Sequence, residues 1–121
     1  MPRLALVLFS VAVGLGCLAA LPLIDAGRRR IAYVAWAHGA VALFALVVLA
    51  IAAGGPVHGE AAGVGDFAAI AAALFALAAC VGLSLPLVAR RFSAALGAVA
   101  GLHATVACLA YLLLLAWVAL G

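Results

Sequence analysis

Residues 31–53 read IAYVAWAHGAVALFALVVLAIAA, a run of 23 residues without a charged side chain. A run of about 20 apolar residues is long enough to cross the hydrocarbon core of a bilayer as an α-helix. Lipid offers the backbone no hydrogen-bond partners, so a crossing segment must satisfy its own amides by being helical. The stretch therefore predicts a transmembrane helix, in which His38 stands out as the most polar side chain.

Three further stretches share this apolar character, at residues 4–24, 67–89 and 93–120. Of the 121 residues, 73% are hydrophobic and only 7% are charged. A soluble domain of this size would need far more polar surface than that. We therefore expect an all-α integral membrane protein, with residues 1–121 forming one domain folded as a four-transmembrane-helix up-down bundle.

The basic residues are placed asymmetrically along the chain. Five of the six arginines lie in the connections 25–30 and 90–92, whereas the middle connection 54–66 has no basic residue. Arginine-rich connections stay on the cytoplasmic side of a membrane. The pattern predicts a bacterial inner-membrane protein with both termini outside, and it explains the positive charge without nucleic-acid binding.

The two halves of the chain resemble each other. The tripeptide LPL at residues 21–23 ends the first apolar stretch, and the same tripeptide at residues 85–87 ends the third. One histidine follows each proline, after sixteen residues at His38 and after seventeen at His103. Further matches pair Val41 with Val106, Ala42 with Ala107, Ala45 with Ala110, and Leu49 with Leu114. This internal repeat predicts two related hairpins around a pseudo-two-fold axis along the membrane normal, with the histidines facing each other at one depth.

The matched histidines are the strongest candidate for a binding site, because ionisable side chains inside a membrane are costly and usually functional. A neutral imidazole from each of two helices can bind haem iron axially from opposite faces. Small neighbours would let a flat macrocycle approach the helices. The predicted cofactor-binding residues are His38, His103, Gly39, Ala42, Gly101 and Ala107, with the two histidines as ligands of the haem iron.

In these features the chain resembles small membrane-embedded b-type cytochromes and the haem-bearing membrane anchor subunits of respiratory enzymes. The resemblance covers the four-helix architecture and the two histidines. It implies one haem b, or another tetrapyrrole, in a small electron-transfer subunit. Many such cytochromes carry two histidines on each ligand helix, whereas each helix has one here, so a single haem fits the scheme.

Other readings of the same residues remain open. Cys17 and Cys80 precede their prolines by five and six residues, so they could join His38 and His103 as four ligands of zinc or copper. The histidines could instead be structural, each bonded to a carbonyl or hydroxyl of a neighbouring helix. The chain would then be an accessory subunit that packs with other membrane subunits or with further copies of itself.

Catalysis and transport are less favoured by the sequence. It contains no catalytic triad, phosphate-binding loop or pair of carboxylates. The chain has the size of small multidrug transporters, but its apolar stretches lack the membrane-embedded glutamate that such antiporters use.

Overall fold

The computed structural model describes the backbone of residues 1–20, 28–56 and 58–121, and the side chains of all of these but 28–31. The described residues form four long helices, α1 (Pro2–Ala20), α2 (Arg28–Ala53), α3 (Phe67–Arg91) and α4 (Leu96–Leu120), with a short 3₁₀ turn over Ser93–Ala95 before the last. All four are long and apolar enough to cross a membrane. The predicted all-α integral membrane fold is confirmed.

The helix bounds differ from the predicted stretches by two or three residues: α1 begins at Pro2 and α4 begins at Leu96 after the 3₁₀ turn. Two further differences have a physical reason. Helix α2 begins at Arg28, inside the predicted connection 25–30, because arginine is a good helix former. Pro86 lies inside α3, which continues to Arg91 instead of ending near the proline. Membrane helices tolerate an internal proline because neighbouring groups satisfy the backbone atoms that it frees. The end of the first stretch and its proline, residues 21–24, lie outside the described residues.

The helices form two hairpins, α1–α2 and α3–α4. They pack more extensively inside each hairpin than between hairpins, where α2 meets α3 more broadly than α1 meets α4. Helices α1 and α3 therefore lie on one diagonal of the bundle, and α2 and α4 lie on the other. On the first diagonal, Phe9 and Phe75 stack with ring centroids 3.7 Å apart and planes 10° from parallel. This stack joins the two hairpins at the bundle centre.

The segment 54–66 folds over one end of the bundle, beside both chain termini. Gly59 and Gly63 have φ angles of +82° and +70°, which L side chains rarely adopt, and they let the segment turn back on itself. The Val64 amide donates to the Gly59 carbonyl at 2.9 Å, and the Val64 side chain is buried. Trp117 Nε1 donates to the His58 carbonyl at 3.2 Å. We call this end the capped end and the opposite one, with Arg90 and Arg91, the arginine end.

Burial is confined to one half of the bundle. Every described residue that is buried lies in the capped half, which consists of segment 54–66 and the helix residues on its side of the histidine layer. These residues are Ala5, Phe9, Ala12, Ala45, Val48, Leu49, Ala52, Val64, Ala68, Ala71, Phe75, Ala78, Ala110, Leu114 and Trp117. Among the helix residues of the arginine half whose side chains are described, none is buried. The capped half therefore holds the hairpins together, and the arginine half is loosely packed.

Candidate functional site: a histidine pair across the bundle

The internal repeat reappears in the pattern of burial. In α1, Ala5, Phe9 and Ala12 face the core, and residues of the same type 66 positions later face it in α3. In α2, Ala45 and Leu49 are buried, and their counterparts 65 positions later are buried in α4. Equivalent residues of the two hairpins are thus buried in the same way. The hairpins are related by a pseudo-two-fold axis, which runs between Phe9 and Phe75.

The same axis runs between the two histidines. His38 on α2 and His103 on α4 lie on the second diagonal of the bundle, with ring centroids 6.0 Å apart and ring planes at 84°. Both residues are half-buried, at the boundary between the capped half and the arginine half. The structure therefore brings together the two residues that the sequence singled out.

Each histidine is tied to the partner helix of its own hairpin. The Nδ1 atom of His38 lies 2.8 Å from the carbonyl oxygen of Ala12 on α1, and the Nδ1 atom of His103 lies 2.8 Å from that of Ala78 on α3. A carbonyl oxygen only accepts hydrogen bonds, so Nδ1 must carry the proton in both rings. In a neutral imidazole with its proton on Nδ1, Nε2 carries a free lone pair.

Two glycines make this close approach possible. A Cβ atom at Gly16 would lie 3.1 Å from Cε1 of His38, and one at Gly82 would lie 2.9 Å from Cε1 of His103. Sequence reasoning missed both glycines. The signal was present, since each glycine follows the carbonyl-bearing alanine by four residues and the spacing A-x3-F-x2-A-x3-G occurs at 5–16 and again at 71–82.

The small residues predicted to flank a macrocycle lie elsewhere. A Cβ atom at Gly39 or Gly101 would meet open space, with no atom within 4 Å, while Ala42 and Ala107 are half-buried. The histidine rings rest on α1 and α3 and not on the small residues of their own helices. Gly39 and Gly101 therefore leave room at the helix surface but do not contact the rings.

The predicted four-ligand metal site of Cys17, His38, Cys80 and His103 is not formed. Both cysteines are exposed at the helix surface. Among the described residues, no group of three or more His, Cys, Asp or Glu side chains could hold a metal ion. The physical reason is the helix register. Positions in α1 and α3 correspond at a separation of 66, so the two cysteines, 63 positions apart, are not equivalent.

The donor set of the histidine pair fits a metal centre with two imidazole ligands. The ring centroids lie 6.0 Å apart with the ring planes at 84°, so the two imidazoles are near enough to share one ion with metal–nitrogen bonds of about 2.0 Å. Metal-binding histidines almost always donate their other ring N–H to a carbonyl or carboxylate, as both rings do here. No charged side chain is buried among the described residues.

The space around the pair is different on its two sides. Towards the capped end, Ala12, Ala78 and the Phe9–Phe75 stack close the bundle. Towards the arginine end, no described helix residue is buried. The side of the pair that faces the arginine end is therefore the less enclosed one.

A third histidine lies far from this pair along the fold. His58 lies in the capping segment, where its ring packs edge-on against Trp117 at 5.1 Å. It borders two surface clefts of about 340 and 430 Å³, neither of which is lined by His38 or His103. Its Nε2 atom is buried without a hydrogen-bond partner. His58 therefore belongs to the cap and not to the candidate site.

Comparison with known proteins finds no matching family model, no similar curated protein and no similar solved structure. The resemblance to membrane b-type cytochromes accordingly stays a prediction. Any functional proposal must rest on the geometry of the chain's own residues.

Proposed function

We propose that the chain is a small integral membrane subunit that binds one b-type haem between His38 and His103 and passes electrons. The observation that carries this proposal is the symmetric pair of imidazoles, each with Nδ1–H held by a backbone carbonyl. Their separation of 6.0 Å supports it. The bound haem would supply a one-electron redox centre.

The surrounding residues would orient the ligands and exclude water. The carbonyls of Ala12 and Ala78 would fix the tautomer and the orientation of the two rings. The stacked rings of Phe9 and Phe75 close the capped side of the site. The polarity of the surroundings is one of the means by which proteins set the potential of a haem.

The test is the absorption spectrum of the chain purified in detergent from a haem-replete host, first oxidised and then reduced. We expect a Soret band and sharp α and β bands on reduction. His38→Ala and His103→Ala should each abolish the reduced α band, because each variant removes one of the two residues that would hold the iron. His58→Ala is the matched control and should leave the spectrum unchanged, because His58 lies in the cap. Folded wild-type protein without visible absorption would contradict the proposal.

A second candidate function is that of an accessory subunit in which both histidines are purely structural. The Nδ1–carbonyl bonds favour it, since they link α2 to α1 and α4 to α3 without any ligand. Its partners would be other membrane subunits or further copies of the chain. The same spectra separate the two functions, because structural histidines predict no visible absorption and loss of folding in both alanine variants.

The arginine distribution supports an orientation with both termini outside a bacterial inner membrane. The haem would then be nearer to the cytoplasmic side, because the open half of the bundle is the arginine half. Fusions of alkaline phosphatase and of green fluorescent protein to the C-terminus test this orientation. We expect an active phosphatase and a dark fluorescent protein, and the opposite pair of results would overturn it.

A further inference from the structure

We propose that Gly16 and Gly82 are positioning residues that hold both histidines as the Nδ1–H tautomer and so make Nε2 the metal-binding atom. The metal role of Nε2 rests on the proposed function, whereas the tautomer does not. Each hairpin contains one complete unit of this kind, in which an alanine carbonyl, a glycine four residues later and a histidine on the next helix meet.

The carbonyl groups decide which nitrogen carries the proton. The oxygens of Ala12 and Ala78 can only accept, so a distance of 2.8 Å to Nδ1 requires a proton on that atom. Among the described residues, neither Nε2 atom has a hydrogen-bond partner that would favour the other tautomer. In a membrane interior, a histidine that lost its carbonyl would be left with an unpaired polar group, which is costly.

The glycines decide whether the rings can reach those carbonyls. A Cβ contact of 3.1 Å, as at Gly16, is tighter than nearly all real Cβ contacts, and the 2.9 Å contact at Gly82 does not occur without a shift. The atoms in the way are Cε1 and Nδ1 of the imidazole, the bonded edge of the ring. A methyl group at either position must therefore push that edge away from its carbonyl.

The steric clash expected from a Cβ atom is more severe at Gly82 than at Gly16, so the effects of the two substitutions can be ranked. At Gly16 a shift of a few tenths of an ångström relieves the contact, so Gly16→Ala should fold and weaken the His38 bond. At Gly82 the contact is shorter, so Gly82→Ala should disturb His103 more strongly. Each substitution should affect the histidine of its own hairpin and leave the other unchanged.

The test begins with the haem-free chain, labelled with ¹⁵N at histidine and studied by nuclear magnetic resonance in detergent. The ring-nitrogen shifts of a neutral histidine distinguish its two tautomers. In the wild type we expect His38 and His103 both as Nδ1–H. In Gly16→Ala, His38 should lose the single-tautomer pattern while His103 keeps it, and Gly82→Ala should give the reverse.

The matched controls are Gly14→Ala and Gly97→Ala, because a Cβ at either position meets no atom within 4 Å. Both should leave the two histidine patterns unchanged. Circular dichroism checks that every variant keeps its helices, and the milder Gly16→Ala variant keeps the test decisive if Gly82→Ala does not fold. Wild-type histidines in the Nε2–H form, or a Gly16→Ala variant with unchanged ring shifts, would overturn the proposal.

Haem titration of the same variants is the second readout. Loss of such an orienting hydrogen bond lowers the affinity of a metal site by about 10- to 100-fold, so we expect this loss in Gly16→Ala but not in Gly14→Ala. Correct tautomer patterns without haem uptake by the wild type would overturn the haem proposal and leave the positioning role standing. Equal haem affinity in Gly16→Ala and Gly14→Ala would overturn the positioning role in metal binding.

Discussion

The capped half and the arginine half of the bundle are built from the same four apolar helices but differ in packing. All buried residues that the structure describes are in the capped half, where Phe9 and Phe75 stack and Trp117 holds segment 54–66 in place. The arginine half has the same four helices but no buried described residue. The difference teaches that apolarity alone does not close a membrane bundle, because lipid solvates apolar side chains as well as protein does.

The histidine pair lies where the two halves meet. Its rings are held from the capped side by the carbonyls of Ala12 and Ala78, while its other side faces the loosely packed half. The pair is therefore held by hydrogen bonds on one side and is less enclosed on the other. Two predictions test the packing of the capped half, the first against an exposed residue of the same half and the second against a residue of the arginine half.

The largest effect on stability is expected from removing one ring of the Phe9–Phe75 stack in the capped half. Phe75→Ala should lower the unfolding free energy by on the order of 2 kcal/mol, because it leaves a cavity that lipid does not fill. Phe9→Ala should have a similar effect. The double variant should lose less unfolding free energy than the sum of the two single losses, because both substitutions remove the same Phe9–Phe75 contact. Denaturant titration in detergent measures all three.

Phe44→Ala is the matched control, since Phe44 is 60% exposed on α2. It should change the unfolding free energy by less than about 0.5 kcal/mol. A loss at Phe44 equal to that at Phe75 would show that the capped half is no better packed than the surface of the bundle.

A smaller effect is expected at the polar link between α1 and α4. Ser10 Oγ donates to the Leu6 carbonyl at 2.8 Å, so it accepts from the Tyr111 hydroxyl 2.7 Å away. Tyr111→Phe should cost about 0.6 kcal/mol, the usual size of a hydrogen bond between membrane helices. Tyr33→Phe is the control, because Tyr33 is highly exposed in the arginine half. A loss of unfolding free energy in Tyr33→Phe as large as that in Tyr111→Phe would contradict a stabilising role of the Ser10–Tyr111 hydrogen bond.

Much of the fold could be predicted because its cause is local. Four uncharged stretches of sufficient length must be helices in lipid, whatever they pack against. The pairing of His38 with His103 also followed, because a repeat with a two-fold axis places equivalent residues opposite each other. Alignment of the halves on their histidines needed no knowledge of helix contacts.

The neighbours of the histidines could not be predicted in the same way. Aligning the halves on their prolines implied a separation of 64 positions between α1 and α3, but their buried faces correspond at 66. At a separation of 64, Cys80 lies one residue from the counterpart of Cys17, whereas Gly16 and Gly82 correspond only at 66. The register between α1 and α2 depends on how closely the His38 ring approaches Gly16. That approach is a property of tertiary packing and not of the local sequence pattern.

The central claim is that the paired histidines hold one haem, and the most direct measurement is the haem content and spectrum of the purified wild-type chain. The account predicts one haem b per chain, with a reduced α band that disappears in both His38→Ala and His103→Ala. Folded protein that neither contains haem nor takes it up from solution would contradict it.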